Sequence, residues 1–324
     1  MTERHIHPTR RAALGLIGAA VALPRLAGAA AGAISGIAFG TTWQISGAAP
    51  ADLEGLRPKI DALFAAIDAQ MSPWRADSGL SRFNAMGAGD MAVDPETLHV
   101  TRAALALAQA SGGAFDPTVG PLVARWGFGP IAGGATPDWR GLRVGNGAIG
   151  KTRDDLTLDL CGIAKGRALD LAVTLVRDAG GDNLLFDLGG ELRALGQHPS
   201  GRDWRVAVQH PLPDQPPAAT LRLAQGQAVA TSGLRTQSYV LDGRTYGHII
   251  DPGAQAPADG GLMSVTVLAD DAMTADGWAT ALFAAGAGGG IDLARRNSVA
   301  ALFLVRDGTV IAQRATGRIA DQLL

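Results

Sequence analysis

The sequence predicts an α+β fold in which helices pack against a sheet. Apolar residues recur at helical spacing over residues 52–71, which is typical of an amphipathic helix packed on a sheet, whereas residues 34–46 and 263–268 have the composition of strands. The chain also contains 44 glycines in 324 residues, which indicates many turns and close backbone approaches and fits a ligand cleft better than a helical bundle. At this length the chain can form one large domain or two lobes with a shared core.

The overall composition excludes two classes of protein. With 47% hydrophobic and 18% charged residues, the chain is globular and not intrinsically disordered. The formal net charge is −2, and no run of lysine or arginine occurs outside the N-terminus. Because binding to a nucleic-acid backbone requires a basic patch, we expect no nucleic-acid partner.

The first 29 residues have the order of an export signal. Arg10 and Arg11 precede an apolar run over residues 12–23, and small residues follow at 27–29. We therefore predict a signal peptide over residues 1–29, a mature domain over residues 30–324, and a periplasmic location. The paired arginines favour twin-arginine export, with the general secretory route as the alternative. The apolar run is too short for a stable membrane anchor, and the absence of a cysteine near the cleavage site excludes a lipoprotein.

The first half of the mature chain alternates predicted scaffold with irregular segments. Residues 34–46 read as one strand and residues 95–111 as a second helix. Proline and polar residues break the helical pattern over residues 71–84, where Trp74 and Arg75 either cover a planar ligand or close a loop over the core. Residues 111–122 combine paired glycines with Asp-Pro and Gly-Pro, which predicts a tightly bent segment whose backbone amides can meet a ligand.

A strand followed by a glycine-containing turn and a helix is predicted in the middle of the chain. Residues 156–160 alternate like a strand, and residues 161–166 lead into a helix that ends at Ala179 before two glycines. Lys165 at this helix N-terminus indicates a site for a phosphate or a carbonyl oxygen. The segment lacks the glycine spacing of a P-loop, and no segment has the spacing of a Rossmann dinucleotide fingerprint.

The remaining elements complete the predicted sheet. Residues 183–192 read as a buried strand ending in two glycines, and residues 291–297 as a short helix after three glycines. Residues 300–306 and 309–313 flank Asp307-Gly308, which is typical of a β-hairpin. Cys161 is the only cysteine, so the chain contains no internal disulfide, and we interpret it as a packing residue.

Chemistry is predicted for two places in residues 246–280. Residues 273–285 read as a helix, so Asp276 and Thr280, four apart, share one face. A carboxylate and a hydroxyl are oxygen ligands that suit Mg²⁺, although the same pair also occurs on solvated helix faces. His248 is a candidate proton acceptor, with packing beside Ile249 as the alternative. Asp251 either orients that imidazole or caps the turn before Pro252, and the cap is the preferred interpretation.

Seven short segments together span nearly the whole mature chain. They are Met71-Ser72-Pro73-Trp74 with the polar residues to Asn84, Gly112-Gly113-Ala114-Phe115-Asp116-Pro117 continuing to Leu122, Asp159-Leu160-Cys161-Gly162-Ile163-Ala164-Lys165-Gly166, Gly189-Gly190-Glu191, Ala230-Thr231-Ser232-Gly233, Tyr246-Gly247-His248-Ile249-Ile250-Asp251-Pro252, and Asp276-Gly277-Trp278-Ala279-Thr280-Ala281. Each motif is short, but the combination is specific. In composition and order these segments resemble one family, the ApbE-type FAD:protein FMN transferases.

The resemblance implies an exported Mg²⁺-dependent enzyme that binds FAD between two sheet-and-helix lobes. Such an enzyme transfers FMN to a Thr or Ser hydroxyl of an acceptor flavoprotein and releases AMP. By resemblance, the catalytic residue is His248, and the metal ligands are Asp276, Thr280 and the main-chain carbonyl of Gly162. The implied flavin contacts are Phe39, Trp74, Ala114, Phe115, Asp116, Asp159, Lys165 and Ile249.

Two departures from the family pattern leave these groups in place. Cys161 stands where a serine is usual, and Phe39 stands where a methionine is usual before Gly-Thr. Two alternative functions share the same site: a Mg²⁺-dependent FAD pyrophosphatase that gives FMN and AMP, and a flavin-binding protein without turnover.

Overall fold

The computed structural model describes residues 33–47, 53–134, 136–258 and 260–324. The described residues belong to one compact unit that extends to Leu324. The predicted signal peptide, residues 1–29, lies outside the described residues. No helix within the described part is both long and apolar enough to cross a membrane.

Helices and strands are intermixed along the chain, which confirms the α+β class. The helices are α1 (Leu53–Met71), α2 (Gly79–Ala85), α3 (Pro95–Ala110), α4 (Gly120–Arg125), α5 (Ala164–Asp178), α6 (Ala272–Ala284) and α7 (Gly286–Arg296). The strands are β1 (Ala33–Ala38), β2 (Thr41–Gly47), β3 (Gly89–Ala92), β4 (Leu142–Val144), β5 (Ala148–Lys151), β6 (Leu184–Leu188), β7 (Glu191–Leu195), β8 (Trp204–Val208), β9 (Ala219–Leu223), β10 (Ala228–Gly233), β11 (Ser238–Leu241), β12 (Arg244–Gly247), β13 (Ile250–Asp251), β14 (Ala256–Pro257), β15 (Leu262–Ala269), β16 (Ala300–Asp307) and β17 (Val310–Thr316).

The described residues form an eight-stranded main sheet in the order β1-β2-β6-β7-β10-β15-β16-β17. Every neighbouring pair in it is antiparallel. Smaller sheets consist of β3-β5-β4, β8-β9, β11-β12 and β13-β14. The division of this unit into two lobes stays a prediction.

The central strands of the main sheet are buried on both faces. One face packs on helices, where Trp43, Phe64 and Phe186 contact each other with ring centroids 5.8–6.3 Å apart. The other face packs on β8 and β9 through residues such as Leu268 and Leu302. Because successive side chains of a strand point to opposite faces, β15 supplies both cores and is buried along its whole length.

The predicted single strand over residues 34–46 is wrong, because the segment is a hairpin. β1 pairs with β2 from Ala38 and Thr41 outward, and Phe39 and Gly40 form the two-residue turn with φ of 51° and 71°. Two left-handed residues in succession give the turn twist that matches paired strands. The composition of this segment correctly predicts extended backbone, but it gives no signal for the turn at Phe39 and Gly40.

The predicted strand over residues 156–160 is also wrong. A side chain supplies the hydrogen bonds of its backbone in place of a neighbouring strand. The Asn84 amide donates to the Leu158 carbonyl at 2.9 Å and accepts from the Leu158 N–H at 2.7 Å. The Asp159 N–H donates to the carbonyl of Pro117 at 2.7 Å. The segment therefore has the alternating composition of a strand, but it pairs with no strand in the described part of the chain.

Two helix boundaries differ from the prediction. The irregular segment over residues 71–84 contains α2, which Ser78 caps by accepting from the Ser81 N–H at 2.9 Å. α7 begins at Gly286 and includes the three glycines that were expected to precede it. Gly290 packs against the main sheet and the preceding helix, since a Cβ there would lie 2.4 Å from the Leu282 carbonyl oxygen. Packing thus overrides the low helix propensity of glycine.

Candidate active site

The turn before α5 and the middle of α6 form the centre of the site. Gly162 lies in that turn, and Thr280 donates from Oγ1 to the Gly162 carbonyl oxygen at 3.3 Å. One turn earlier on α6, Asp276 accepts from the Gly166 N–H through Oδ2 at 2.9 Å. The two α6 side chains therefore face the same corner, as their spacing of four residues predicts.

Glycine allows these two elements to approach closely. A Cβ on Gly166 would lie 2.3 Å from the Ala272 carbonyl oxygen and 2.8 Å from the Asp276 Cβ. A Cβ on Gly162 would lie 3.0–3.2 Å from Thr280 and Phe115 atoms. The backbone of the corner is thus pressed against α6 at both glycines.

Lys165 is the cation of this corner. Its Nζ lies 2.9 Å from Oε2 of the buried Glu191, which follows the Gly189-Gly190 turn. Burial acts to lower the pKa of Lys165, but the carboxylates of Glu191 and Asp276 outweigh it and raise that pKa. Lys165 is therefore a stable ammonium beside two carboxyl groups.

Burial is the largest influence on the pKa of Asp276. Burial raises the pKa of this carboxyl, whereas Lys165 and the Gly166 N–H act to lower it. Burial likewise raises the pKa of Glu191, with Lys165 opposing. Two buried carboxyl groups beside one ammonium provide an environment that an additional cation would stabilise.

The donor set fits Mg²⁺. Within the described ranges, no three His, Cys, Asp or Glu side chains are grouped so that they could hold a metal ion. The Thr280 hydroxyl lies 3.3 Å from the Gly162 carbonyl oxygen, and the Asp276 carboxylate lies one helical turn away on the same face of α6. Mg²⁺ is commonly held by few protein oxygens, with phosphate and water completing its octahedron.

His248 lies directly after β12, and its imidazole has a defined tautomer. Its Nδ1 lies 3.1 Å from the Gln237 carbonyl oxygen, and its backbone N–H donates to the same oxygen at 3.2 Å. Because a carbonyl only accepts, Nδ1 carries the proton and Nε2 carries the lone pair. Burial lowers the pKa of His248, the Gln237 carbonyl opposes that shift, and Lys165 lowers it further.

Lys165 acts electrostatically on both groups, since its ammonium lowers the pKa of His248 and the pKa of Asp276. The next residue, Ile249, is buried in the same hydrophobic cluster as Ala275 and Ala279 of α6. Asp251 caps the following turn by accepting from the N–H groups of Gly253 at 2.8 Å and Ala254 at 3.1 Å. The preferred interpretation of Asp251 is therefore confirmed.

Comparison with known proteins assigns the family. The model of the ApbE family matches residues 39–303, which is more than half of the chain. This chain belongs to the ApbE family.

The relatives of this ApbE chain are similar over most of their length. A FAD:protein FMN transferase of Vibrio cholerae is 36% identical over 293 residues, covering 84% of this chain and 87% of the relative. A FAD:protein FMN transferase of Salmonella typhimurium is 32% identical over 299 residues, covering 86% of this chain and 85% of the relative. Among solved structures, the flavin transferase ApbE from Vibrio cholerae has a TM-score of 0.81 at 34% identity, covering 90% of this chain and 98% of that one. The apo form of the flavinyl transferase ApbE from Pseudomonas stutzeri has a TM-score of 0.81 at 31% identity, and the match covers 90% of this chain and 96% of that one.

Four of the expected ApbE flavin contacts lie in or beside the corner. Phe115 is buried in the main core and lies next to Gly162, and Ala114 packs against the cluster that contains α6. Asp159 accepts from the Cys161 N–H at 2.9 Å and so shapes the turn that carries Gly162. Lys165 pairs with Glu191 at the same corner.

Cys161 lies within this corner. The residue as a whole is exposed. Protein atoms packed around its thiol raise the pKa, and the carboxyl groups of Asp159 and Asp276 add to that shift. The thiol is thus disfavoured as a thiolate nucleophile, whereas the exposure of the residue does not fit its interpretation as a packing residue.

The other expected ApbE flavin contacts have different surroundings. The buried Asp116 accepts from the Thr118 N–H at 2.8 Å and from its hydroxyl at 2.6 Å. Phe39 contacts Phe64 at a centroid distance of 5.5 Å, in a turn beside Gly189. Trp74 is 65% exposed, so it does not close a loop over the core. The roles of all eight residues in flavin binding stay predictions.

Asp170 is a structural member of the ApbE site that the sequence reasoning missed. From the middle of α5, its carboxylate accepts from the Ala272 N–H at 2.8 Å and the Met273 N–H at 3.0 Å, and it pairs with Arg193. It thereby fixes the N-terminus of α6, the helix that carries the proposed metal ligands. The available signal was its position four residues after Gly166, on the apolar stripe of α5.

Replacing Asp170 with alanine is expected to lower the free energy of unfolding by about 3–5 kcal/mol, since it leaves a largely buried Arg193 and two helix N–H groups without their partner. Urea unfolding followed by circular dichroism measures the change. The matched control is Asp270→Ala, which removes an exposed pair with Arg318 and should cost less than about 1 kcal/mol. Similar losses in both variants would contradict the role of Asp170.

Proposed function

We propose that this chain transfers FMN from FAD to a Thr or Ser hydroxyl of an acceptor flavoprotein and releases AMP, in a Mg²⁺-dependent reaction. The observation that carries the proposal is the corner where Asp276 accepts from the Gly166 N–H and Thr280 donates to the Gly162 carbonyl, in a chain of the ApbE family. The names of the relatives, FAD:protein FMN transferases, support the choice of donor and of transferred group.

Asp276, Thr280 and Gly162 would hold the metal. When bound, Mg²⁺ would neutralise charge on the pyrophosphate of FAD and on the departing AMP. Lys165 adds a fixed ammonium at the same corner, and its pairing with Glu191 holds that group in place. The protein thus stabilises negative charge where phosphate oxygens must lie.

His248 would accept the proton of the acceptor hydroxyl. The hydroxyl oxygen attacks the FMN phosphorus of FAD, and the new O–P bond forms as the bond to AMP breaks. The proton passes to Nε2, and AMP leaves with the bonding electron pair. Because Gln237 fixes the proton on Nδ1, the lone pair is on the nitrogen that must accept.

The location and the leader are also proposals. The order of charged, apolar and small residues over 1–29 supports export to the periplasm by a twin-arginine or general secretory route. The acceptor would then be a flavoprotein accessible from the periplasm.

One assay separates transfer from its two alternatives. The purified chain is incubated with FAD and Mg²⁺, with and without a purified apo-flavoprotein, and AMP release and in-gel flavin fluorescence are measured. We expect AMP and a fluorescent acceptor band only when the acceptor is present. AMP without acceptor would indicate a pyrophosphatase, and bound FAD with neither product would indicate a binding protein.

A further inference from the structure

The β11-β12 hairpin projects from the fold directly beside His248. Its strands pair only with each other among the described residues, from Ser238 and Gly247 to Leu241 and Arg244. Asp242 and Gly243 form its tip with φ of 50° and 76°, the backbone of a tight two-residue hairpin turn. Both long edges of the hairpin are therefore without a third strand in the described part of the chain.

A continuous row of rings fixes this hairpin to the catalytic imidazole. Trp126 stacks on Tyr246, Tyr246 on Tyr239, and Tyr239 on Phe128, with centroid distances of 5.2–5.6 Å and interplanar angles of 20–25°. Phe128 then meets the imidazole of His248 edge to face at 6.3 Å. Since neighbouring rings are already in stacking contact, the row has no gap for a flavin or adenine ring. Its effect is to hold the hairpin in a fixed position relative to His248.

The hairpin nevertheless exposes apolar side chains. Val240 is 69% exposed and Leu241 is 55% exposed, on a strand of which every residue is exposed. Unpaired strand edges next to exposed apolar side chains are features that a partner polypeptide can use, by adding an extended segment to the edge and burying alternate side chains.

We propose that the β11-β12 hairpin is the docking surface for the acceptor protein, with an extended acceptor segment along one of its edges. This inference rests on the proposed function, which requires a polypeptide hydroxyl to reach Nε2 of His248. Continuity decides the occupant, because β12 leads directly into His248 and Gln237, the residue before β11, binds its imidazole. A segment paired with the hairpin is thereby guided to the proton acceptor.

The test is the double variant Val240→Ser with Leu241→Ser. The probe is a purified apo-flavoprotein domain that the unmodified chain flavinylates in the gel assay, and FAD binding is followed by flavin fluorescence. We expect the KM for the acceptor domain to rise about tenfold or more, with kcat at saturating acceptor and the affinity for FAD retained. A KM within about twofold of the unmodified chain, or a loss of kcat at unchanged KM, would overturn the inference.

A matched control is available elsewhere on the surface. Val310 is 60% exposed and Leu324 is 63% exposed. Val310→Ser with Leu324→Ser therefore removes one valine and one leucine side chain of similar exposure, away from the hairpin. This control should leave the KM unchanged, and an equal rise would show that the effect is not local to the hairpin. If the unmodified chain flavinylates no acceptor, the proposed function fails first, before any hairpin variant is compared.

A second measurement keeps the inference testable if the serine variant folds poorly. Leu241 is replaced by the photoreactive residue p-benzoylphenylalanine, and the chain is irradiated with the same acceptor domain and FAD. We expect a covalent adduct from position 241 and none from the same residue placed at position 324. Adducts of equal yield, or no adduct from position 241, would overturn the assignment of the surface.

Discussion

Replacing His248 with alanine is expected to reduce FMN transfer by about 10²–10⁴-fold while FAD remains bound. The variant removes the nitrogen that accepts the hydroxyl proton, and it leaves Asp276, Thr280 and the Gly162 carbonyl in place. Single-turnover flavinylation of the acceptor measures the rate, and flavin fluorescence measures FAD binding. Normal transfer by this variant would reject the assigned role.

The matched control is His99→Ala, which removes an exposed imidazole from α3 and should leave the rate unchanged. The pH profile provides an independent check. Because burial lowers the pKa of His248, the imidazole stays neutral below its ordinary pKa of about 6.5. Activity should therefore persist as the pH falls through 6.5 and decline only at the lower pKa of the folded protein. A loss of activity centred above pH 6.5 would contradict this assignment.

Replacing Asp276 with alanine is expected to raise the Mg²⁺ concentration required for transfer by on the order of a hundredfold or more. The variant removes the carboxylate of the donor set, leaving a hydroxyl and a carbonyl that carry no charge. The Mg²⁺ dependence of AMP release, measured with acceptor present, gives the shift. An unchanged Mg²⁺ dependence would reject Asp276 as a ligand.

Loss of packing must be separated from loss of the ligand in this experiment. Asp276→Asn keeps the size of the side chain and an oxygen that can accept from Gly166, and it should show a similarly raised Mg²⁺ requirement. Asp292→Ala is the surface control, since that carboxylate is exposed on α7 and pairs with Arg295. A shift in the Asp292 variant equal to that of the Asp276 variants would indicate general electrostatics rather than coordination.

The sequence was sufficient to predict helices and the faces of their side chains where local periodicity determines the geometry. The spacing of Asp276 and Thr280 on α6 predicts that both side chains share one face, and the structure directs Thr280 to the turn before α5 and Asp276 to the first turn of that helix. The same local rules identified α1, α3 and α5, because their apolar stripes and end signals agree.

Local rules failed where a distant residue supplies the decisive partner. The alternation over residues 156–160 is real, but Asn84 satisfies that backbone from 74 residues away in sequence. In the hairpin of β1 and β2, the turn at Phe39 lacks the usual Asn-Gly or Asp-Gly signal. Tertiary contacts of this kind are not visible in a single sequence.

The site shows the same division between local and distant information. The resemblance indicated which segments carry chemistry, but it did not indicate that Gln237 binds the imidazole or that Glu191 pairs with Lys165. Nor did composition reveal that Tyr239 and Tyr246 stack between Trp126 and Phe128. The ring contacts of Trp126 with Tyr246 and of Phe128 with Tyr239 join segments more than a hundred residues apart, so only the folded chain defines them.

The close approach at Gly166 has a mechanical consequence for the spacing of the corner. There the main chain of α5 lies directly against the main chain of α6, because a Cβ on Gly166 would lie 2.3 Å from the Ala272 carbonyl oxygen, and backbone has no rotamers. A site assembled in this way is already close to its working dimensions before a ligand arrives, and little ordering entropy remains to be lost on binding.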